Sequence, residues 1–180
     1  MTTPTAGYEI ERKFLVRDAD LSEMELRLYD VHQVYLDVEA INGLDLPGIP
    51  KVANPDLTRH EARIRHTKHG DEHKYWLTTK VGERSIKRAE TEVEIDVDIF
   101  NKLKDAFGQS EVKKKRFTFT YLRKTFELDV FPDSRMMLLE VELDNENQLF
   151  AVPPFVDIIR EVTDDLDYYN FNLATKIVKE

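Results

Sequence analysis

The feature that most constrains this chain is a period-two alternation in which one face of almost every candidate strand carries ionisable side chains. In Tyr8–Val16, for example, Glu9, Glu11 and Lys13 lie on one face, and the other face carries Tyr8, Ile10 and Phe14. Strict alternation places such a set on one face of a strand. An ordinary half-buried sheet turns a mixed polar face to solvent. Here the charges are instead sorted into carboxylate sets on some strands and cation sets on others.

Eight segments alternate with period two, and nearly all of them carry such a charged set. They are Tyr8–Val16, His32–Val38, His60–Lys68, His73–Val81, Lys87–Val97, Lys113–Tyr121, Thr125–Phe131 and Met137–Leu143. Eight antiparallel strands can close into a barrel whose interior holds side chains or one small ligand. We therefore expect an α+β fold: an eight-stranded antiparallel β-barrel, or tunnel, with a charged interior and helices packed outside. The alternative is an open sheet with one solvated, charged face.

Helical spacing and breaker residues complete the expected organisation. Helices are predicted at Asp98–Phe107, with Asp98 as the cap, and at Asp20–Tyr29, Asn145–Ala151 and about Tyr169–Val178. Between about 38 and 58, three prolines and two glycines interrupt any regular element, which predicts a loop insertion. A length of 180 residues favours a single domain over 1–180.

Composition excludes several classes of protein. A net charge of −9 argues against binding duplex nucleic acid. The absence of cysteine excludes disulfides, thiolate metal sites and cysteine nucleophiles, and it is compatible with a reducing, cytoplasmic location. We find no signal peptide and no run of about 18 apolar residues, so no membrane association is expected. The sequence does not indicate an oligomeric state.

A closed barrel with these charges would suit one chemistry in particular. Hard cations such as Mg²⁺ or Mn²⁺ prefer carboxylate oxygens. Phosphate oxygens prefer the guanidinium fork of arginine and the ammonium of lysine. The pattern therefore favours a small-molecule triphosphate bound together with a divalent metal ion.

Eight short motifs occur in an order that resembles the CYTH, or triphosphate tunnel metalloenzyme, family. Glu9-Ile10-Glu11-Arg12-Lys13 resembles the family's opening E-x-E-x-K strand. The later motifs are Arg63-Ile64-Arg65, Leu77-Thr78-Thr79-Lys80, Arg88-Ala89-Glu90-Thr91-Glu92, Lys114-Lys115-Arg116, Glu127-Leu128-Asp129, Leu139-Glu140-Val141-Glu142 and Tyr168-Tyr169-Asn170. The resemblance extends from about Glu9 to Ala174 and is strongest to small bacterial triphosphatases.

The resemblance implies a role for each matched residue. The divalent metal would be held by Glu9, Glu11, Glu140 and Glu142. A second metal or the attacking water would be positioned by Glu90, Glu92 and Asp129. The triphosphate would be bound by Lys13, Arg63, Arg65, Lys80, Arg88, Lys114 and Arg116. Lys114 is the candidate for protonating the leaving group, and Lys13 also belongs to the expected catalytic set.

The resemblance leaves three functions open. The first is hydrolysis of a triphosphate, with inorganic tripolyphosphate favoured over a nucleoside or thiamine triphosphate. The second is a class IV adenylyl cyclase, which would use the same cations and metals but activate the ribose 3′-hydroxyl of ATP. The third is a non-catalytic sensor that binds polyphosphate. Loss of metal-binding carboxylates would favour the sensor, and the motifs retain them.

Overall fold

The computed structural model describes residues 5–45, 60–81 and 86–177. In chain order these residues form β1 Thr5–Ala19, β2 Arg27–Leu36, α1 Val38–Gly43, β3 His60–His69, β4 Glu72–Val81, β5 Lys87–Ile95, α2 Val97–Phe107, β6 Gly108–Tyr121, β7 Lys124–Val130, β8 Met137–Glu142, β9 Val156–Glu161, α3 Asn170–Leu173 and β10 Thr175–Lys176. A short 3-10 helix, Leu166–Tyr168, precedes α3.

The first eight strands close into a barrel. Their hydrogen-bonded order is β6-β2-β3-β4-β5-β1-β8-β7, and β7 pairs back onto β6. All of these pairings are antiparallel. The predicted eight-stranded antiparallel barrel is confirmed.

Two further strands, which the sequence reading missed, lie outside the barrel. β9 pairs with the second half of β1, from Phe14 to Ala19, with register shifts on either side of Val16. β10 adds two residues alongside β6. The long strand β1 therefore pairs with β5, β8 and β9 and joins the barrel wall to its outer cover.

The outer face of the barrel is apolar and is covered in two different ways. Over β2, β3 and β4 lie α1 and α2, and the buried Phe100 and Leu103 of α2 pack with Ile64 and Leu77. On the opposite side, β9 and the segment 144–155 supply the cover, with Phe150 packed on the cluster around Phe14 and Phe126. The expectation of helices outside is therefore met on one half of the barrel only.

Several predicted helices are absent or shorter than expected. Residues 20–26 form turns, in which Ser22 N donates to the Asp20 carboxylate at 3.1 Å, and 27–29 belong to β2. In place of the predicted helix Asn145–Ala151, a single turn at 145–147 is followed by irregular chain. The last helix is reduced to the four residues of α3.

The helix α2 was predicted more nearly, whereas the 38–58 segment contains a short helix that the sequence analysis did not predict. The helix starts one residue early, at Val97, because Asp96 rather than Asp98 caps it and accepts from Ile99 N at 2.8 Å. The insertion begins with α1, and residues 46–58 lie outside the described residues. Among the residues that the structure describes, no helix is long and apolar enough to cross a membrane.

Candidate active site

The barrel encloses a cavity of about 510 Å³. Its wall consists of inward-facing side chains, since alternation turns every second residue of a barrel strand to the interior. Twelve of the fourteen predicted site residues line it: Glu9, Glu11, Lys13, Arg63, Arg65, Lys80, Arg88, Glu90, Glu92, Arg116, Glu140 and Glu142. Lys114 and Asp129 do not reach the cavity surface.

The two lysines of the cavity wall are buried and paired with carboxylates. Lys13 Nζ lies 2.8 Å from Glu140 and 3.5 Å from Glu11. Lys80 contacts Glu9 and lies 3.0 Å from Glu90. Burial by itself would lower the pKa of Lys13, but Glu140 and Glu11 hold that pKa above its ordinary value. Lys13 therefore stays charged at all physiological pH values.

Arginines on β3 and β5, the two strands that flank β4, form a second set of ion pairs. Arg65 Nη2 donates to both oxygens of Glu92, at 3.1 and 3.0 Å, and Thr78 Oγ1 donates to the same carboxylate at 2.7 Å. Arg88 Nη1 lies 3.3 Å from Glu61. The Nε atoms of these two arginines are buried without a hydrogen-bond partner among the described residues. Each guanidinium thus keeps a donor that can bind a further anion.

Lys114 and Asp129 lie behind the wall, in a buried network with Arg116. Arg116 donates to both oxygens of Asp129 at 2.7 Å and to Glu140 at 2.9 Å. Lys114 contacts Asp129, and both side chains are completely buried. Burial lowers the pKa of Lys114. The described geometry gives Lys114 and Asp129 contact with the wall and no direct contact with the cavity.

Glu11 and Glu142 are two carboxyl groups whose pKa values are raised in the fold. They are direct cross-strand neighbours on β1 and β8. Burial, and after it Glu140, raises the pKa of Glu11 to about 7. Burial, together with Glu9, raises the pKa of Glu142. Glu142 has no ion-pair partner among the described residues.

This carboxylate pair fits part of a divalent metal site. In the described parts of the chain, no three carboxylates or imidazoles come together as a complete set of metal ligands. Mg²⁺ is usually held by one or two carboxylates, with waters and substrate phosphates completing the coordination. Two facing carboxylates with raised pKa values match that requirement, because a cation would offset their repulsion.

The sequence analysis missed several residues of the cavity wall. Gln33 of β2 and Glu61 of β3 both line it. Glu61 has the same parity as Arg63 and Arg65, so extending the alternation by one step would have found it. The C-terminal segment also contributes: Tyr169, Asn170 and Phe171 line the cavity, and the ring of Tyr169 lies 5.3 Å from Lys13 Nζ. No periodic signal marks that contact.

Comparison with known proteins agrees with this geometry. The chain is 34% identical over 174 residues to an inorganic triphosphatase of Nitrosomonas europaea, covering 94% of this chain and 98% of that protein. The chain belongs to the CYTH, or triphosphate tunnel metalloenzyme, family. A search with family models found no match.

Two further comparisons point to the same family. An inorganic triphosphatase of Acetivibrio thermocellus is 35% identical over 104 residues, which cover 56% of this chain and 65% of that protein. The crystal structure of an inorganic triphosphatase is 31% identical, with a TM-score of 0.52 and coverage of 95% of this chain and 97% of that chain. The resemblance inferred from the CYTH motifs is thus confirmed over nearly the whole chain.

Proposed function

We propose that this CYTH protein is a metal-dependent triphosphatase that hydrolyses inorganic tripolyphosphate and releases orthophosphate. The observation that carries the proposal is the closed tunnel in which buried Lys and Arg side chains alternate with carboxylates. Phosphoryl transfer depends mainly on positioning and charge stabilisation, which such a wall supplies. The names of the related proteins support the same activity.

Each part of the wall has a task in this proposal. Lys13, Arg63, Arg65, Lys80, Arg88 and Arg116 bind the phosphate oxygens, and their buried positions strengthen each contact. Lys114 acts on the substrate through Asp129 and Arg116, with which it shares the buried network. Glu90 and Glu92 orient Lys80 and Arg65, the cations to which they are bound.

The proposed metal is Mg²⁺ or Mn²⁺, held by Glu11 and Glu142 with Glu9 and Glu140 close by. When bound, such an ion neutralises charge on the phosphate oxygens during bond cleavage. A cytoplasmic location is part of the proposal and is supported by the cysteine-free sequence.

The test is release of orthophosphate from tripolyphosphate and from ATP, each with Mg²⁺, Mn²⁺ or EDTA, with cyclic AMP measured in parallel. We expect orthophosphate release that EDTA abolishes and that is faster with tripolyphosphate. Pyrophosphate accompanied by equal cyclic AMP would replace the proposal with a cyclase. Tight tripolyphosphate binding without turnover would replace it with a sensor.

Glu11→Gln tests whether the activity depends on the proposed metal site in the tunnel. It keeps the size of the side chain and removes the charge that would face the metal, so turnover should fall at least about 100-fold. Glu25→Gln, an exposed residue in the loop before β2, is the matched control and should behave as the wild type. Wild-type turnover in Glu11→Gln would contradict the proposed metal site.

A further inference from the structure

The strand β2 differs from the other seven strands of the barrel. Each of those strands directs at least one charged side chain into the interior. The buried positions of β2 with the same parity are Val31, Gln33 and Tyr35, which carry no charge. Two of them, Gln33 and Tyr35, line the cavity.

Gln33 lines the cavity and carries a buried hydrogen-bond acceptor that is not used. Gln33 is 2% exposed, and its side-chain Oε1 has no hydrogen-bond partner among the described residues. A buried amide oxygen without a partner is destabilising, and in native proteins such atoms are usually satisfied by water or a ligand. Gln33 is the register partner of Arg65 on β3.

The chemistry of a triphosphate decides what this acceptor can bind. Phosphate oxygens accept hydrogen bonds, so they suit the unpaired Nε–H donors of Arg63 and Arg65. The Oε1 of Gln33 also accepts, so it suits a group that donates. In a hydrolase the required donor is water, which must be held close to the phosphorus atom.

The carboxylates that were expected to position this water are engaged elsewhere. Glu92 accepts from Arg65 and from Thr78. Glu90 forms an ion pair with Lys80, although its Oε2 lacks a hydrogen-bond partner among the described residues, and Asp129 is occupied by Lys114 and Arg116 behind the wall. Gln33 thus offers an acceptor on the wall that no cation already occupies.

We infer that Gln33 positions the water that attacks the phosphate bound by Arg63 and Arg65, an inference that rests on the proposed triphosphatase activity. The water oxygen forms the new bond to phosphorus, and the bond from phosphorus to the bridging oxygen breaks. The bonding electron pair stays on the departing diphosphate. One water proton remains hydrogen-bonded to Gln33, and the products are H₂PO₄⁻ and diphosphate. An amide oriented towards an attacking water serves the same purpose in GTP hydrolysis.

The experiment compares Gln33→Leu with Gln33→Glu. Leucine fills a similar volume without an acceptor, so kcat should fall about 100-fold, the size of effect that misplacing a reactant produces. KM, and the affinity for an imido analogue of tripolyphosphate, should stay within about twofold of wild type, since Gln33 does not hold the phosphates. Glutamate keeps an acceptor at the same place and should restore most of kcat.

A control substitution and a second variant complete the experiment. Gln109→Leu changes an exposed glutamine on β6 and should leave kcat unaltered. If Gln33→Leu does not fold, Gln33→Asn withdraws the acceptor by one methylene group and should show the same loss of kcat at constant KM.

Two results would overturn the inference. Wild-type kcat in Gln33→Leu or in Gln33→Asn would overturn it alone, and equal losses in Gln33→Leu and Gln33→Glu would do the same. Absence of orthophosphate release by the wild-type protein would instead overturn the triphosphatase proposal, and the inference with it.

Discussion

At the scale of single residues, Glu11 shows how burial couples the site to stability. In the unfolded chain this carboxyl ionises near its ordinary pKa of 4.5, whereas in the fold its pKa is raised to about 7. Between these values the unfolded chain loses the Glu11 proton before the folded protein does. The Glu11 contribution to the free energy of unfolding therefore decreases as pH rises from 4.5 to about 7 and stays lost above that.

The first prediction follows from this decrease in the free energy of unfolding as pH rises. In EDTA, raising the pH from 4.5 to 7 should reduce the free energy of unfolding of the wild type more than that of Glu11→Gln. Urea unfolding of both proteins across this range, at constant ionic strength, measures the difference. A difference that stays constant with pH would contradict the raised pKa of Glu11.

The second prediction concerns Arg65. The guanidinium of Arg65 binds Glu92 and has one N–H donor left for the substrate. Because Arg65→Ala removes that donor, KM for tripolyphosphate should rise about tenfold or more, with a smaller change in kcat. Steady-state kinetics measures both. Arg17→Ala, which removes an exposed arginine paired with Asp157 outside the barrel, is the control. Unchanged kinetics in Arg65→Ala would count against substrate contact by Arg65.

Alternation made most of the wall residues predictable from the sequence, because it assigns each strand residue to the interior or the exterior. It could not separate a residue that lines the cavity from one that lies behind it. Lys114 and Arg116 share a parity, yet only Arg116 reaches the cavity. It also gave Gln33 no prominence, because an uncharged residue did not fit the charge pattern used to find the others.

At the scale of secondary-structure elements, the predicted and the observed N-cap residues of α2 differ. The sequence favoured Asp98, whereas the structure has Asp96 accepting from Ile99 N. Asp96→Ala should lower the free energy of unfolding by about 1 kcal/mol, the usual cost of losing a helix N-cap. Asp98→Ala should cost less, because Asp98 only sits favourably in the first turn. Urea denaturation of both variants tests the assignment, and the reverse order would refute it.

The barrel strands were predicted well and the helices less well, for a physical reason. A strand in a closed barrel has a period of two over its length, and burial reinforces that signal. The segment 20–29 has helical spacing, but its last three residues pair with β6 and its first residues bond locally through Asp20. Residues 145–151 likewise satisfy Asn147 N with the Asn145 side chain, which competes with helix formation.

At the scale of the whole molecule, the barrel closes where β6 meets β7. Asp129 of β7 binds Arg116 and Lys114 of β6 across this closure. Asp129→Ala would leave Lys114 buried without its ion-pair partner and Arg116 with only Glu127 and Glu140, so the free energy of unfolding should fall by about 3–5 kcal/mol. Chemical denaturation measures this loss, and Asp133→Ala in the exposed turn after β7 is the control. A loss as small as that of Asp133→Ala would contradict a structural role for Asp129.

The ion pairs inside the tunnel also make it selective before any chemistry occurs. Lys13, Arg65, Lys80, Arg88 and Arg116 each have a carboxylate partner. An entering anion must compete with those carboxylates for the Lys and Arg side chains. Each carboxylate that it displaces then needs another positive charge beside it. Chloride or sulfate brings none, whereas a triphosphate complexed with a divalent cation brings one. The tunnel should therefore resist the abundant simple anions of a cell, and its charges should re-pair when the products leave.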